Sequence, residues 1–528
     1  MNTTQNKSAL IAEIKKLNIR VAELTSENEK LKATNQYYIE QLILAKRKIF
    51  CASSEHSPSA EQLGLFNEAE VDFSESKVET EKIVYIRRKR TGKREDFYED
   101  LPTVQVVHEL PEDQRICPDC GKPLHVCGSE VLRREVEVIP AQFRAVEHVQ
   151  NLYSCRHCEK HSDADSLPLI KSNVPAPVIP NSGIASPSLV SFVACNKYVL
   201  ALPIGRQEAE LQRLGIFISR QTMSNWMIFI SEHWLVHIYN LLHLEIIFYK
   251  YLNADETTLQ VICEPNRKAS SNSYMWVYLT GQYAQHQIVL FKYSETRAGH
   301  NPLNFLEGSN SYLNVDGYPG YNKLENQGII LVGCFVHARR KFDEALKTVP
   351  KFQWKDSLAY IGFDYCNQLF ELEREYDKLN LTPEERFEQR LLKSKPVCDA
   401  FFAWAFDTLS QAAAKSKLRT ALVYAINQKD KLCNFLLDGH LDIHNNRAEN
   451  CIRPFTVGRK NWMFAYSPKG ANASAVIYSI VQTALANGLV PFNYLTFLFK
   501  TLPNIPLEQY KDCLPWNPEI QAICRPPD

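Results

Sequence analysis

The chain has 528 residues, a formal net charge of zero and a hydrophobic fraction of 45%. This length predicts three or more domains, and the hydrophobic fraction excludes a disordered protein. A zero net charge argues against nucleic-acid binding through overall charge, although local basic clusters matter more than the sum. The 15 cysteines do not form a disulfide-scaffold pattern, and we find no signal peptide and no apolar run of membrane-spanning length. We therefore expect a cytoplasmic protein with reduced thiols and no membrane partner.

Residues 1–50 carry an apolar period of seven. One seam is Leu10, Leu17, Leu24, Leu31 and Tyr38, and a second is Ile14, Val21, Asn28 and Asn35. Sustained over about four heptads, this pattern predicts a coiled coil through which chains associate. The alternative is a single amphipathic helix that packs on its own domain.

Residues 51–100 are rich in Ser, Glu and short polar runs, a composition that predicts a flexible linker. A basic run lies within this segment. Such runs are more often a solvated surface than a specific reader, but this one is also a candidate contact with DNA phosphates. The candidate residues are Arg87, Arg88, Lys89 and Arg90.

Two Cys-x2-Cys pairs lie within residues 101–172, and their members are Cys117, Cys120, Cys155 and Cys158. Two such pairs separated by a strand-like stretch predict a structural four-cysteine zinc site of the ribbon type. Four buried free cysteines are the alternative, but that would need two such pairings by chance. A closed four-ligand zinc site has no open position for water, so we assign it to stability and to docking of DNA or a partner.

Residues 173–245 predict a helical DNA-binding domain. Two short helical patterns, 188–198 and 204–214, precede Gly215, and Ser219 is a candidate N-cap for a further helix. Helix, glycine turn and capped helix together predict a helix-turn-helix, with an ordinary helical hairpin as the alternative. The candidate DNA contacts on the capped helix are Arg220, Gln221, Thr222 and Asn225.

From residue 246 the periodicity changes to strands. The order is three strands, helix, strand, helix, strand and helix, with strands over 249–262, 274–280, 287–293, 311–316 and 328–335. This order predicts a ribonuclease-H-like α/β domain built from residues 246–342 and 440–487. Residues 343–439 are rich in Leu, Phe, Glu, Lys and Ala and predict a long helical insertion, and residues 488–528 form a C-terminal segment. The fold class is thus multidomain α+β.

Three acids stand out in this domain. Asp255 falls within the first strand, Asp316 ends the fourth, and Glu449 follows the helical insertion. Phosphoryl transfer is served by two divalent ions held roughly 3.5–4 Å apart, and Mg²⁺ prefers oxygen ligands. Most isolated acids are surface charges, but placement at strand ends within one fold order favours these three. We predict that they are catalytic and hold two Mg²⁺ (or Mn²⁺) ions.

Six motifs occur in a fixed order: ADET (254–257), VDGYPGYN (315–322), GCFVHARRKF (333–342), NNRAENCIRP (445–454), GRKNWMF (458–464) and GLVPFNYL (488–495). Together they resemble insertion sequence family 66, a family of DDE transposases, and the resemblance covers nearly the whole chain. It implies that Asp255, Asp316 and Glu449 are the metal-binding triad. Cys334-x2-His337 resembles a C/D-x2-H signature that several DDE groups carry after the second acid. Asn450 replaces the usual arginine.

The resemblance implies a bacterial DNA transposase that binds the terminal inverted repeats of an insertion sequence. It would cleave DNA to free a 3′-hydroxyl and join that hydroxyl to target DNA. Double-stranded DNA is then the partner, with a homodimer or higher oligomer, accessory proteins of the same element, and nucleoid association when DNA is bound. Further candidate DNA contacts are Arg339, Arg340, Arg447, Arg453, Arg459, Lys460 and Trp462.

Two other functions fit the same sequence. One is a non-catalytic DNA-binding regulator, in which the zinc site and the helix-turn-helix bind DNA and the α/β domain is a scaffold. The other is a ribonuclease-H-like nuclease that cuts DNA without joining it. For the basic residues after Glu449, a packed amphipathic helix and loop is nearly as good an explanation as contact with DNA.

Overall fold

The computed structural model describes residues 2–50, 122, 142–153 and 170–526. Within these residues the chain forms two compact units, one from residues 2–50 and 177–526 and the other from residues 122, 142–153 and 170–176. The architecture is α+β, rich in helix and with a mixed sheet, which confirms the coarse fold class that the sequence predicts. The predicted linker, with Arg87, Arg88, Lys89 and Arg90, and the four predicted zinc ligands lie outside the described residues.

The second unit contains a small antiparallel ladder. Strand β1 (Leu152–Tyr153) pairs with β2 (Ile170–Lys171), and Leu152 lies opposite Lys171. The side-chain amide of Gln150 extends the contact by donating to the carbonyl of Ser172 at 2.6 Å. All four strand residues are exposed, so this ladder has no apolar face of its own to bury.

The first helix, α1 (Asn2–Phe50), spans the segment with the seven-residue period. Its seam residues Leu17, Val21, Leu24 and Leu31 are 49–63% exposed in the single chain. Near its end, the buried Glu40 accepts a hydrogen bond from the backbone N–H of Lys417 at 3.1 Å. A carboxylate is favoured there because Lys417 opens a helix, whose first N–H groups have no partner within the helix.

Four helices follow in the predicted DNA-binding region: α2 (Pro187–Tyr198), α3 (Ile204–Arg213), α4 (Arg220–Ile230) and α5 (Val236–Ile246). A π-helical turn, Ser231–Leu235, joins the last two. The predicted turn and cap are confirmed. Gly215 has φ of +79°, a left-handed conformation that favours glycine, and the Ser219 hydroxyl accepts from the backbone N–H of Thr222 at 3.1 Å.

The central sheet has five strands, β3 (Tyr251–Gln260), β4 (Asn272–Thr280), β5 (Val289–Ser294), β6 (Tyr312–Val315) and β7 (Ile330–Gly333). Their order is β5-β4-β3-β6-β7. Strands β3, β6 and β7 are parallel, whereas β4 and β5 run antiparallel to their neighbours. Between the strands lie α6 (His300–Phe305) and a 3₁₀ helix (Pro319–Gln327), and α7 (Phe335–Leu346) follows β7. The predicted order of elements is therefore observed.

Helices fill the predicted insertion: α8 (Leu358–Lys378), α9 (Pro383–Gln389), α10 (Lys395–Leu409), α11 (Lys417–Asn427) and α12 (Lys429–Cys433). They have a separate apolar core with α7, in which Phe342, Phe363, Phe401 and Phe435 are fully buried. Gly317, directly after Asp316, lies against this insertion. A Cβ at Gly317 would lie 2.6 Å from a ring carbon of Tyr424, so a larger residue there would have to displace that ring.

The chain ends with α13 (Asn446–Trp462), α14 (Pro468–Ala486), α15 (Pro491–Thr501) and α16 (Pro518–Cys524). Helix α14 is apolar on most sides and packs on β5. Its hydroxyls also bond the sheet edge, since Ser479 accepts from the N–H of Phe291 at 2.7 Å and Thr483 from that of Val289 at 3.0 Å. Within the described ranges, no helix combines the length and apolarity that a membrane crossing requires.

Candidate active site

The register of two parallel strands brings Asp255 and Asp316 together. Asn253 in β3 pairs with Asn314 in β6, and each acid lies two residues further along its own strand direction. Because parallel strands lie about 4.8 Å apart, the register places the two aspartates on neighbouring central strands, directly after the end of β6 and near the middle of β3. Asp316 is additionally fixed by its own turn, where its Oδ1 accepts from the backbone N–H of Tyr318 at 2.8 Å.

Asparagines fix the start of α13 on the same strands. The side-chain amide of Asn445 donates to the carbonyl of Ala254 at 2.7 Å, and Asn253 donates to Asn445 Oδ1 at 3.3 Å. Asn314 donates to the carbonyl of Asp442 at 2.7 Å. The segment that precedes the helix is therefore bonded to both acid-bearing strands. This anchoring positions Glu449, which lies in the first turn of α13.

The charges of the three acids act on one another. Burial raises the pKa of Asp255 well above its ordinary value, and the charges of Glu256, Asp316 and Glu449 raise it further. Burial also raises the pKa of Glu449; the charge of Asp316 adds to this, while Arg340 and Arg453 oppose it. Like charges gathered in a half-buried place favour a proton or a cation as their partner.

A neighbouring acid, Glu256, was missed by the sequence reasoning. It is buried and paired with Arg297, whose Nε donates to Glu256 Oε1 at 2.7 Å. An Nη2 of Arg297 also lies 3.8 Å from Asp316 Oδ2, and the guanidinium stacks on the Tyr318 ring at 3.9 Å. Arg297 thus connects Glu256 to the candidate site. The only sequence signal for Glu256 is that it directly follows Asp255 in the ADET motif.

Glu449 also lies against the Cys-x2-His motif. Cys334 follows β7, His337 is in the first turn of α7, and ligand atoms of these two residues and Glu449 all lie within 4.8 Å of one another. Asp255 and Asp316 are not members of this compact group. Burial raises the pKa of the Cys334 thiol to about 12 and lowers that of His337 to about 4, so both side chains are neutral at neutral pH.

The donor set fits a divalent cation. Glu449 Oε1 is buried and has no hydrogen-bond partner among the described residues. An unsatisfied buried acceptor costs about 1–3 kcal/mol, and more when it is charged. Asp255, Asp316 and Glu449 offer only carboxylate oxygens, the ligands that Mg²⁺ and Mn²⁺ prefer.

The candidate DNA contacts after Asn445 lie in different environments. Two arginines bond to the sheet: Arg447 donates to the Thr280 carbonyl at 3.1 Å and to Gln287 at 2.8 Å, and Arg459 donates to the Thr257 hydroxyl at 3.1 Å. By contrast, Lys460 is exposed. Trp462 is half-buried, with its ring edge-on to Phe455 at 5.5 Å. Contact of these residues with DNA stays a prediction.

The two arginines of α7 differ in the same way. Arg339 is 6% exposed, donates to Asn367 Oδ1 at 2.6 Å and stacks on Phe363. The structure therefore places Arg339 in the packing of the insertion. Arg340 is half-buried, and its charge lowers the pKa of Glu449. Arg340 thus lies in the electrostatic environment of the candidate site.

On α4, the predicted DNA contacts lie along one polar face. Arg220, Gln221 and Asn225 are exposed, and Gln221 donates to Asn225 at 3.0 Å. The hydroxyl of Thr222 lies 2.9 Å from that of the cap, Ser219. The opposite face is buried. Helix α4 is thus amphipathic with its polar face outward.

Four family models match the chain in order. Residues 182–473 match the Transposase IS66 family, and residues 479–516 match the IS66 C-terminal element. Residues 114–159 match the zinc-finger binding domain of transposase IS66, and residues 38–106 match a model described as Transposase C of IS166 homeodomain. The zinc-finger match spans all four predicted cysteines and supports a structural zinc ion.

Two relatives come from Sinorhizobium fredii. The uncharacterized protein y4qI is 28% identical and aligns over 96% of this chain and 94% of its own length. The uncharacterized protein y4hP is 26% identical over 85% of this chain and 81% of its own length. Since the IS66 transposase model alone matches more than half of the residues, and the accessory models flank it, the chain belongs to the IS66 family of DNA-binding transposases.

Proposed function

We propose that this transposase cuts and joins DNA at a carboxylate site formed by Asp255, Asp316 and Glu449. The observation that carries this proposal is that the register of β3 and β6, and the asparagine contacts at the start of α13, bring three distant segments to the same pair of strands. The charges of Asp316 and Glu449 both raise the pKa of Asp255, although the three residues span nearly two hundred positions. Burial of three acids near one another is costly unless a cation or proton joins them.

We further propose that the sheet is a ribonuclease-H-like fold. Its support is the strand order β5-β4-β3-β6-β7, with three consecutive strands antiparallel and the last two parallel to the first. In this arrangement β3 and β6 are central neighbours, so their acids face one site. Helix α13 returns to β3 after the insertion and brings the third acid.

Asp255 and Asp316 would each hold Mg²⁺ or Mn²⁺, and Glu449 would complete the ligand set. Two such ions, when bound, stabilise charge on the attacking and leaving oxygens of an in-line phosphoryl transfer. The asparagine contacts at the start of α13 hold Glu449 in place, and Arg297 orients Asp316. Arg340 and Arg453, whose charges reach Glu449, supply positive potential for a DNA phosphate.

The reaction has two steps. Water hydrolyses a phosphodiester at the element end, which leaves a 3′-hydroxyl. That hydroxyl then attacks a target phosphodiester, so that one P–O bond forms as another breaks and no covalent protein intermediate is needed.

DNA binding is assigned to the polar face of α4 and to the zinc-finger region. The exposed residues of α4 follow a helix and a glycine turn, as in a helix-turn-helix. The exposed apolar seam of α1 supports pairing of two chains, since Leu17 and Leu31 are 60% and 63% exposed in one copy. A dimer would place two DNA-binding regions on two element ends.

Glu449→Gln tests the proposal. We expect this variant to lose cleavage of DNA that carries the element ends, taken from the sequence flanking the coding region, while it still binds that DNA. The matched control is Glu325→Gln, which changes an exposed glutamate in the 3₁₀ helix and should cleave normally. Cleavage by Glu449→Gln at the wild-type rate would remove Glu449 from the mechanism.

Two assays separate the rival functions. A non-catalytic regulator would bind element ends and never nick them in the presence of Mg²⁺ or Mn²⁺. A nuclease without joining activity would nick them but yield no strand-transfer product with target DNA. We expect both nicked and joined products.

A further inference from the structure

Cys334, His337 and Glu449 form a second candidate metal site beside the carboxylate triad. We propose that these three side chains bind a transition-metal ion such as Zn²⁺, and that this ion competes with the triad for Glu449. Sulfur and imidazole ligands select zinc-like ions over magnesium, which prefers oxygen. Three protein ligands with one open position is a known zinc arrangement.

The distances suit this ion after a small movement. The three ligand atoms lie within 4.8 Å of one another. Zinc bonds of about 2.0–2.3 Å in a tetrahedron need ligand separations of about 3.3–3.8 Å. His337 and Glu449 are half-buried, so rotation of their side chains closes the gap, while Cys334 stays buried at the start of α7.

Unsatisfied atoms mark the same place. His337 Nδ1 and Glu449 Oε1 are both buried without a hydrogen-bond partner in the described part of the chain. A cation that accepts both lone pairs would satisfy them together. Two buried cysteines in the apolar core of the insertion, Cys366 and Cys398, belong to no such group of ligands among the described residues, which distinguishes Cys334 from an ordinary core thiol.

The surroundings also suit a bound thiolate. The backbone N–H of Asn445 donates to Cys334 Sγ at 3.3 Å. On coordination, the thiol proton leaves to solvent, and this N–H remains as a donor to the sulfur. The same Asn445 side chain bonds β3, so the sulfur and the start of α13 are held by one residue.

Competition follows from the shared ligand. When Glu449 binds the transition metal, it cannot complete the carboxylate triad. Zn²⁺ should therefore inhibit DNA cleavage, and higher Mg²⁺ should relieve the inhibition. This second consequence rests on the proposed function, whereas metal binding itself does not.

Cobalt titration of the full-length chain tests the binding. With one equivalent of Zn²⁺ loaded into the zinc-finger region, added Co²⁺ should produce a thiolate-to-cobalt charge-transfer band that saturates at one cobalt–thiolate centre per chain. We expect the band in wild type and in Cys263→Ser, the control for an exposed free thiol. It should disappear in Cys334→Ser, and His337→Asn should weaken cobalt binding at least tenfold.

Two results would overturn the proposal: a band that survives Cys334→Ser, or no additional band in wild type. If Cys334→Ser does not fold, as judged by circular dichroism, His337→Asn decides, and unchanged cobalt affinity in that variant rejects the site. A thiolate-dependent band together with active Glu449→Gln would keep the metal site and reject the proposed cleavage site. The absence of a thiolate-dependent band, together with an inactive Glu449→Gln variant, would reject the metal site and keep the proposed cleavage site.

Discussion

Two clusters of buried charge in this chain are arranged in opposite ways. In the helical insertion, Arg390 is 1% exposed and donates to both oxygens of Glu373 at 2.7 Å. It also donates to the carbonyls of Phe435 and Asp438 at 3.0 Å each, and Arg386 donates to Glu373 at 3.0 Å. Every oxygen of this glutamate has a cationic donor.

At the candidate active site, by contrast, acidic side chains lie close to other acidic side chains. Asp255 has its pKa raised by burial and then by three neighbouring carboxylates, and Glu449 keeps an oxygen without a partner among the described residues. A charge that serves packing carries its counter-charge in the chain, because an unpaired buried charge is costly. A cluster in which several acids share few counter-charges, as Asp316 and Glu449 do with Arg297 and Arg340, favours a ligand from outside, and such clusters are candidates for functional sites.

The largest expected effect comes from removing a charge at the candidate active site. Asp255→Asn should lower the rate of DNA cleavage by about 10³-fold or more, which corresponds to about 4 kcal/mol of activation free energy. The melting temperature of the metal-free protein should not fall, because a repulsion is lost. Gel assays of end cleavage and thermal melts check both expectations. Asp356→Asn, at an exposed position, is the control.

Breaking the arginine–glutamate cluster of the insertion should instead lower stability and leave cleavage nearly unchanged. Glu373→Gln leaves Arg390 buried without its counter-charge and should lower the free energy of unfolding by about 3–5 kcal/mol. Cleavage per folded molecule should stay near wild type. Denaturant unfolding measures the first quantity. Glu371→Gln, on the same helix with a 71% exposed side chain, should change stability by about 0.5 kcal/mol or less.

The pH dependence of stability distinguishes the clusters further. Because the pKa of Asp255 is raised in the folded chain, its stabilising contribution is fully present below its ordinary value of 3.8 and is lost as pH rises through the raised pKa. Each unit by which the pKa is raised corresponds to about 1.4 kcal/mol.

The metal-free wild type should therefore lose stability relative to Asp255→Asn as the pH rises above 3.8. Denaturant unfolding at several pH values, with a chelator present, measures this difference. A difference that does not change with pH would mean that Asp255 titrates normally. Addition of Mg²⁺ should reduce the difference by stabilising the wild type alone.

The smallest expected effect concerns the exposed lysine at the end of α13. Lys460→Ala should weaken DNA binding modestly and lower the slope of log affinity against log salt by about one, as loss of one phosphate contact would. Arg459→Ala removes hydrogen bonds to Thr257 and Thr258 and should instead lower the melting temperature. Salt titrations of DNA binding, with thermal melts, separate these two outcomes.

The sequence predicted the parts of the molecule that depend on local pattern. Alternation placed Asp255 within a strand and Asp316 at the end of another, as β3 and β6 show. The cap and turn at Ser219 and Gly215 follow from single-residue conformational preferences. The predicted strand 249–262 is longer than the observed β3. Its last part instead bridges to Ala465, a contact that no local pattern carries.

Long-range pairing could not be predicted in the same way. Arg297 meets Glu256 across 41 residues, and Asn445 meets Ala254 across 191. Ala254, Glu256 and Asn445 each lie in a motif, but no local pattern pairs them with these partners, so both contacts were missed. Likewise, nothing in the run HARRKF separates the buried Arg339 from Arg340 until the insertion packs over α7. Burial of charge is a property of the tertiary structure.

Affinity cleavage by iron tests the central claim most directly. With hydrogen peroxide and ascorbate added, Fe²⁺ bound in place of Mg²⁺ reduces the peroxide to hydroxyl radicals that cut the nearby backbone. We predict cuts around residues 255, 316 and 449 of the same chain, suppressed by excess Mg²⁺ and lost in Asp255→Asn. If cuts near residues 255 and 316 are absent from the wild type, or persist unchanged under excess Mg²⁺, the three acids do not form one divalent-cation site.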